Sequence, residues 1–93
     1  MEKSVNDIIL KLKDADNKNK NILENELVNI GSHAIPELVK NLSVVSGSVR
    51  GIIAMTLIRI GRPAVDILKE AAIVNKDLKW IAKYLIKEIN LAA

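Results

Sequence analysis

One phrase recurs along the chain, and a recurring phrase dictates a recurring unit of structure. Leu27-Val28-Asn29-Ile30-Gly31-Ser32-His33-Ala34-Ile35-Pro36 aligns with Leu57-Ile58-Arg59-Ile60-Gly61-Arg62-Pro63-Ala64-Val65-Asp66 at a shift of 30 residues. The same shift pairs Val5, Ile35 and Val65, then Ile8, Leu38 and Leu68, then Leu12, Leu42 and Ala72. A second segment matches as well: Ile22, Leu27 and Ile30 pair with Ile52, Leu57 and Ile60, and a shift of 29 leads on to Ile81, Ile86 and Ile89. Just before this segment a basic residue recurs as Lys20, Arg50 and Lys79. Three copies, at about 4–31, 32–61 and 62–91, cover nearly all of the 93 residues, which form one domain over 1–93.

Each copy reads as two helices. Val5, Ile8, Ile9 and Leu12 are spaced by threes and fours, which places them on one helical face. Val49, Ile52, Ile53, Thr56, Leu57 and Ile60 do the same in a second helix. Gly31 and Gly61 follow the second helices, where a left-handed residue closes a helix without side-chain strain. Pro63 suits the first position of the next helix, whose N–H has no helical partner, and Ser48 and Asp77 are placed to cap the second helices of copies two and three. The expected helices span about 4–13, 18–30, 33–43, 48–60, 63–73 and 77–91. Ala15, Val45 and Val74 recur in the loop inside each copy and are expected to plug the joint between its two helices. No alternation of period two persists, so strands are not expected. A lone helix pair cannot bury its apolar stripe, and about three stacked pairs are needed for stability.

The core of such a stack has to be aliphatic. Aromatic residues are 2% of the chain, Trp80 and Tyr84 with no Phe, whereas 14 Ile and 11 Leu are available. Without cysteine there is no disulfide, thiolate metal site or cysteine nucleophile. No apolar run approaches the ~20 residues that cross a bilayer, and residues 1–9 lack the basic-then-apolar pattern of a signal peptide. A soluble cytoplasmic protein is therefore expected. The net charge of +3 is uneven: residues 1–46 hold six Lys and seven acids, residues 47–93 eight Lys or Arg and four acids. That asymmetry permits an anionic partner without demanding one.

The pattern Leu-x-x-Ile-Gly-x-x-Ala-Ile/Val, then a Leu, then Val-Arg-x-x-Ile-Ala-x-x-Leu, resembles a HEAT repeat, closest to the short phycobilisome-lyase HEAT-like variety. The match is strongest from Ala34 to Gly61, good from Ala64 to Ile89, and weaker in copy one, where Asn19-Lys20-Asn21 replaces Val49-Arg50-Gly51 and Glu24 replaces Ala54. The resemblance implies an all-α fold, a short right-handed α-solenoid of about three helix pairs. Most members of the family are interaction scaffolds, and a few act on bilins or bind damaged DNA, so only a general binding role carries over. Lys83 and Lys87 stand where copy two has Ala54 and Ile58. Lysines suit a helix facing solvent, so copy three reads as a terminal cap and the chain as complete.

In HEAT-like solenoids partners dock on the concave side, which the second helices line. Opposite the core these helices present Asn21, Asn25 and Val28, then Gly51, Met55 and Ile58, then Trp80, Tyr84 and Lys87. Met55, Ile58, Trp80 and Tyr84 form a candidate apolar patch, rimmed by Arg50, Arg59, Arg62, Lys79 and Lys83. Aromatic anchors among basic residues are a favoured binding composition. The alternative is that Trp80 and Tyr84 close the open end of the core. For Arg50 the alternative is a structural ladder with Lys20 and Lys79, each bonding across to a neighbouring copy.

Chemistry beyond binding has little to stand on. His33 is the only histidine and lies in a turn, whereas a closed metal site wants about four ligands. The four glycines are scattered and build no phosphate loop, and Asp14 and Asp16 lack the glycine and downstream glutamate of a calcium loop. The chain is expected to be a non-catalytic protein- or peptide-binding adaptor without cofactor or metal, acting through Met55, Ile58, Trp80, Tyr84, Arg50, Arg59, Lys83 and Lys87. The alternative is binding of nucleic acid or another polyanion by the basic C-terminal half. Self-association into a homodimer through the outer faces is a further alternative.

Overall fold

The structure, a computed structural model, describes residues 4–92; the parts of the expected domain at 1–3 and 93 lie outside the described residues. Every regular element described is helical. The α-helices are α1 (Val5–Leu12), α2 (Asn17–Ile30), α3 (Ile35–Asn41), α4 (Gly47–Ile60), α5 (Val65–Val74) and α6 (Lys79–Ala92). Short 3-10 turns, Gly31–Ala34, Arg62–Ala64 and Lys76–Leu78, lead into α3, α5 and α6. No described helix is long and apolar enough to cross a membrane.

The helices pack in two layers. α1, α3 and α5 follow one another in the first, α2, α4 and α6 in the second, and the pairs α1–α2, α3–α4 and α5–α6 join the layers. Many of the buried residues between them are ones the repeat aligns, although Ile22, aligned with Ile52 and Ile81, is 48% exposed because α2 has no neighbour on that side. Ile8, Leu38 and Leu68 are each at most 1% exposed, and Leu12 with Leu42, Leu27 with Leu57, and Ala34 with Ala64 are completely buried. A buried side chain of Leu or Ile size contributes about 1.5–3 kcal/mol, so an aliphatic core alone can hold this fold. Thr56 is the buried polar residue among those described, and its hydroxyl donates to the Ile52 carbonyl at 2.7 Å. The i−4 carbonyl thus satisfies it inside its own helix.

The joints between copies depend on glycine. Gly31 (φ 70, ψ −136) and Gly61 (φ 91, ψ −140) adopt nearly the same conformation, and each amide donates back to the carbonyl four residues earlier, Leu27 or Leu57. Both have the expected positive φ, but their ψ belongs to the mirror image of the strand region rather than to the left-handed helix. A side chain makes that region costly.

Several local expectations are corrected. Ser48 does not cap α4: the chain enters through extended Ser46 and through Gly47 at φ 61, so Ser48 already lies in the first turn. Its hydroxyl instead accepts from Lys20 Nζ at 3.0 Å, linking α4 to α2. Asp77 does not cap α6, because a 3-10 turn precedes that helix; within the turn Asn75 Oδ1 accepts from the Asp77 amide at 3.0 Å. Pro63 likewise occupies a 3-10 turn, with α5 starting only at Val65. Ala15 and Val45 pack against the core as expected, but Val74 is 87% exposed. α5 runs on to residue 74 and carries Val74 past the joint, which Leu78 fills from the 3-10 turn at 4% exposure. The helix-starting caps that do form are Ser4 Oγ on the Asp7 amide (3.1 Å) and Asp16 Oδ1 on the Asn19 amide (2.8 Å).

Two glycines make opposite predictions for urea unfolding. Gly61→Ala is expected to cost about 1–3 kcal/mol through backbone strain alone, since the added methyl would meet nothing nearer than the Ile58 carbonyl oxygen at 4.0 Å. Gly51 sits in the middle of α4 with nothing within 4 Å of where a Cβ would stand. Gly51→Ala is therefore expected to add roughly 0.5–1 kcal/mol. A loss at Gly51 would mean that the assigned open face is wrong.

Candidate functional site

α6 is amphipathic in a way that fixes the orientation of its aromatic residues. Ala82, Leu85 and Ile89 are buried on one side. Trp80 and Tyr84, four residues apart and so on a shared ridge, emerge on another at 74% and 55% exposure. A ring closing the end of the core would have most of its surface covered, so neither aromatic serves as a core lid. The Tyr84 hydroxyl donates to Glu88 Oε1 at 3.3 Å, one turn further along the helix. Lys83 Nζ stands 5.7 Å from the centroid of the Trp80 ring, within the range of a cation–π contact.

A groove runs between α4 and α6. Gly47, Arg50, Gly51 and Ala54 form its α4 wall. Asp77, Trp80, Ile81 and Tyr84 form the opposite wall. Gly51 and Trp80 hold equivalent positions at the shift of 29, so the largest side chain of the chain faces a place where the neighbouring copy has none. Arg50 is half-buried, and its Nε is buried without a hydrogen-bond partner among the described residues. The ladder expected from Lys20, Arg50 and Lys79 therefore forms at Lys20, which reaches Ser48, while the Arg50 Nε is left over. Asp77 is the equivalent of Ser48 and faces the same groove as Arg50.

The structure divides the patch expected from the sequence. Trp80, Tyr84 and Arg50 share the groove. Ile58 is half-buried against the core and borders a separate depression with Arg59, Gly61 and Arg62 from its own side and Ile89 and Ala92 from α6. The correction has a simple cause: α6 lies against α4, and its C-terminal turns cover the side on which Ile58 emerges. Met55 is half-exposed and borders neither depression. Arg59 is tied elsewhere, its guanidinium donating to Glu24 Oε2 at 2.7 Å and to Asn25 Oδ1 at 2.9 Å on α2. Lys83 and Lys87 are exposed along α6. Sequence reasoning missed Asp77 as a groove residue, because its place before α6 read as a cap, and Glu88 as the Tyr84 partner, although the spacing of four carried that signal.

The helices that flank the groove carry an excess of cations, while the groove lining itself holds both Arg50 and Asp77. α4 and α6 together carry Arg50, Arg59, Lys79, Lys83 and Lys87 against a single carboxylate, Glu88. Arg59 is neutralised locally by Glu24, whose side chain is 18% exposed against 41% for the arginine. Such a partly exposed pair is worth little in isolation. A double-mutant cycle on Arg59→Ala and Glu24→Ala is expected to give a coupling of about 0.5–1 kcal/mol that shrinks as salt is raised. A coupling indistinguishable from zero at low salt would mean the two side chains do not meet in solution. Comparison with protein-family models, with curated proteins and with solved structures returns no match.

Proposed function

We propose that this chain is a short, right-handed, HEAT-like solenoid of three helix pairs that works as a non-catalytic protein- or peptide-binding module. Its docking surface is the α4–α6 groove. The two-layer order of the helices and the matching conformations of Gly31 and Gly61 support the solenoid. The observation that carries the binding role is the exposure of Trp80 (74%) and Tyr84 (55%) beside a half-buried arginine. Aromatic and arginine side chains concentrate binding energy when a partner covers them, and an open aromatic ridge commonly marks an interface.

The excess of cations on α4 and α6 favours a second reading, a polyanion-binding surface. The two readings separate by salt. Phosphate neutralisation releases counterions and weakens steeply as salt rises, whereas the part of peptide binding that rests on burying Trp80 and Tyr84 persists at high salt.

Panning immobilised protein against a random-peptide phage library tests the main reading. Wild type is expected to enrich a family of peptides, and Trp80→Ala and Tyr84→Ala to lose that enrichment. Because both rings are mostly exposed, each substitution is expected to move the helical unfolding transition by less than about 1 kcal/mol. Loss of several kcal/mol without selective loss of peptides would make the rings structural and remove the groove from consideration.

A further inference from the structure

The groove also specifies the chemistry of its occupant. We infer, resting on the peptide-binding reading, that the α4–α6 groove takes an acidic peptide segment, with a carboxylate on Arg50 and the peptide backbone laid against α4 at Gly51.

Three observations converge on this. The first is Gly51 itself. It lies within α4, no positive φ requires a glycine there, and beyond its chain neighbours and its own helix backbone no atom stands within 4 Å of the position a Cβ would take. Neither packing nor conformation explains it, although glycine weakens a helix interior; the remaining use of a bare backbone is close approach by another chain. The second is Arg50, which borders the same stretch of groove with its Nε buried and without a hydrogen-bond partner among the described residues. A buried donor left unpaired is costly, and the guanidinium that carries it keeps a full charge that an arriving carboxylate can meet with a charge-assisted bond. The third is charge. Lys79, Lys83 and Lys87 recur every four residues along α6 next to the groove-lining Trp80 and Tyr84, and they outnumber the carboxylates there, Asp77 in the groove itself and Glu88, which accepts from the Tyr84 hydroxyl. An acidic segment complements this rim and a basic one is repelled by it.

The groove favours a peptide over a nucleic acid for a reason of donors and acceptors. Arg50 and Asp77 border it together. A peptide brings carboxylates for Arg50 and backbone N–H donors for Asp77. A phosphate backbone brings acceptors only and leaves Asp77 without a donor.

The test uses the same random-peptide library together with Trp80 fluorescence, since Trp80 is the sole tryptophan of the chain. Peptides enriched on wild type are expected to hold more Asp and Glu than the naive library, and those enriched on Arg50→Gln to lose that bias. A synthetic copy of the leading peptide is expected to shift Trp80 emission saturably. Changing its acids to Gln, or Arg50 to Gln, is expected to weaken binding about tenfold or more. Gly51→Leu is expected to abolish binding while the helical melt is kept or raised, because leucine favours the helix and fills the groove. Enriched peptides of neutral or basic composition would overturn the acidic assignment and leave the binding module standing. A library that yields no enriched peptides at all would overturn both. Two further results would overturn the inference: a single-stranded oligothymidylate that shifts Trp80 at lower concentration than the peptide, marking a general polyanion surface, and a shift on concentrating the protein alone, marking a second copy as the occupant.

Discussion

The fold hangs on α4 having neighbours on three sides. It packs on α3 within its own copy and lies between α2 and α6 in its layer. A helix so placed must be apolar around most of its circumference, and α4 is: Val49, Ile53 and Leu57 are buried, while Ile52, Ala54, Ile58 and Ile60 pack against the core from its flanks. α2 and α6 each have an open side, where they carry Asn and Lys instead. A helix pair without such a neighbour would leave its stripe in water, so the three copies stand or fall together.

Stacking also decides which polar groups become tethers. Lys20 and Arg59 both cross between α2 and α4, one from each helix, so the two are tied through Ser48 at one end and through Glu24 and Asn25 at the other. No equivalent pair of bonds joins α4 to α6 among the described residues, where Ile58 and Ile89 border one depression and a groove stays open near Gly51. The N-terminal interface is thus tied by polar bonds, and the C-terminal one keeps accessible surface.

Most of the fold was legible because repetition and burial are the same signal. Aligning Ile8 with Leu38 and Leu68, or Leu27 with Leu57, picks out residues that share a core position, and a shift of one residue would have scattered them. What was not legible depended on a single residue of helix length or on contacts across the stack. Ser48 and Asp77 have the right chemistry for caps, yet Gly47 opens α4 a residue early and a 3-10 turn delays α6 to Lys79. Val74 is pushed into solvent by the long α5. In the candidate site, Trp80 and Tyr84 could be placed together from their spacing alone. The loss of Ile58 from their patch depended on how α6 lies on α4, which no helical wheel contains, and the partnership of Arg59 with Glu24 joins residues 35 apart in sequence.

The near-identity of the joints at Gly31 and Gly61 sets how such a chain can grow. Residues 32–61 enter through one of these joints and leave through the other, so a tandem duplication of that segment would give the new α3–α4 pair interfaces it already makes on both sides. Duplicating the last copy would not. A helix added beyond α6 would have to settle on Lys83 and Lys87, which hold the positions that Ala54 and Ile58 hold on α4, and their ammonium groups would lose water without gaining partners. Lengthening by duplication is therefore less costly from residues 32–61 than by stacking a further helix directly on Lys83 and Lys87 of α6.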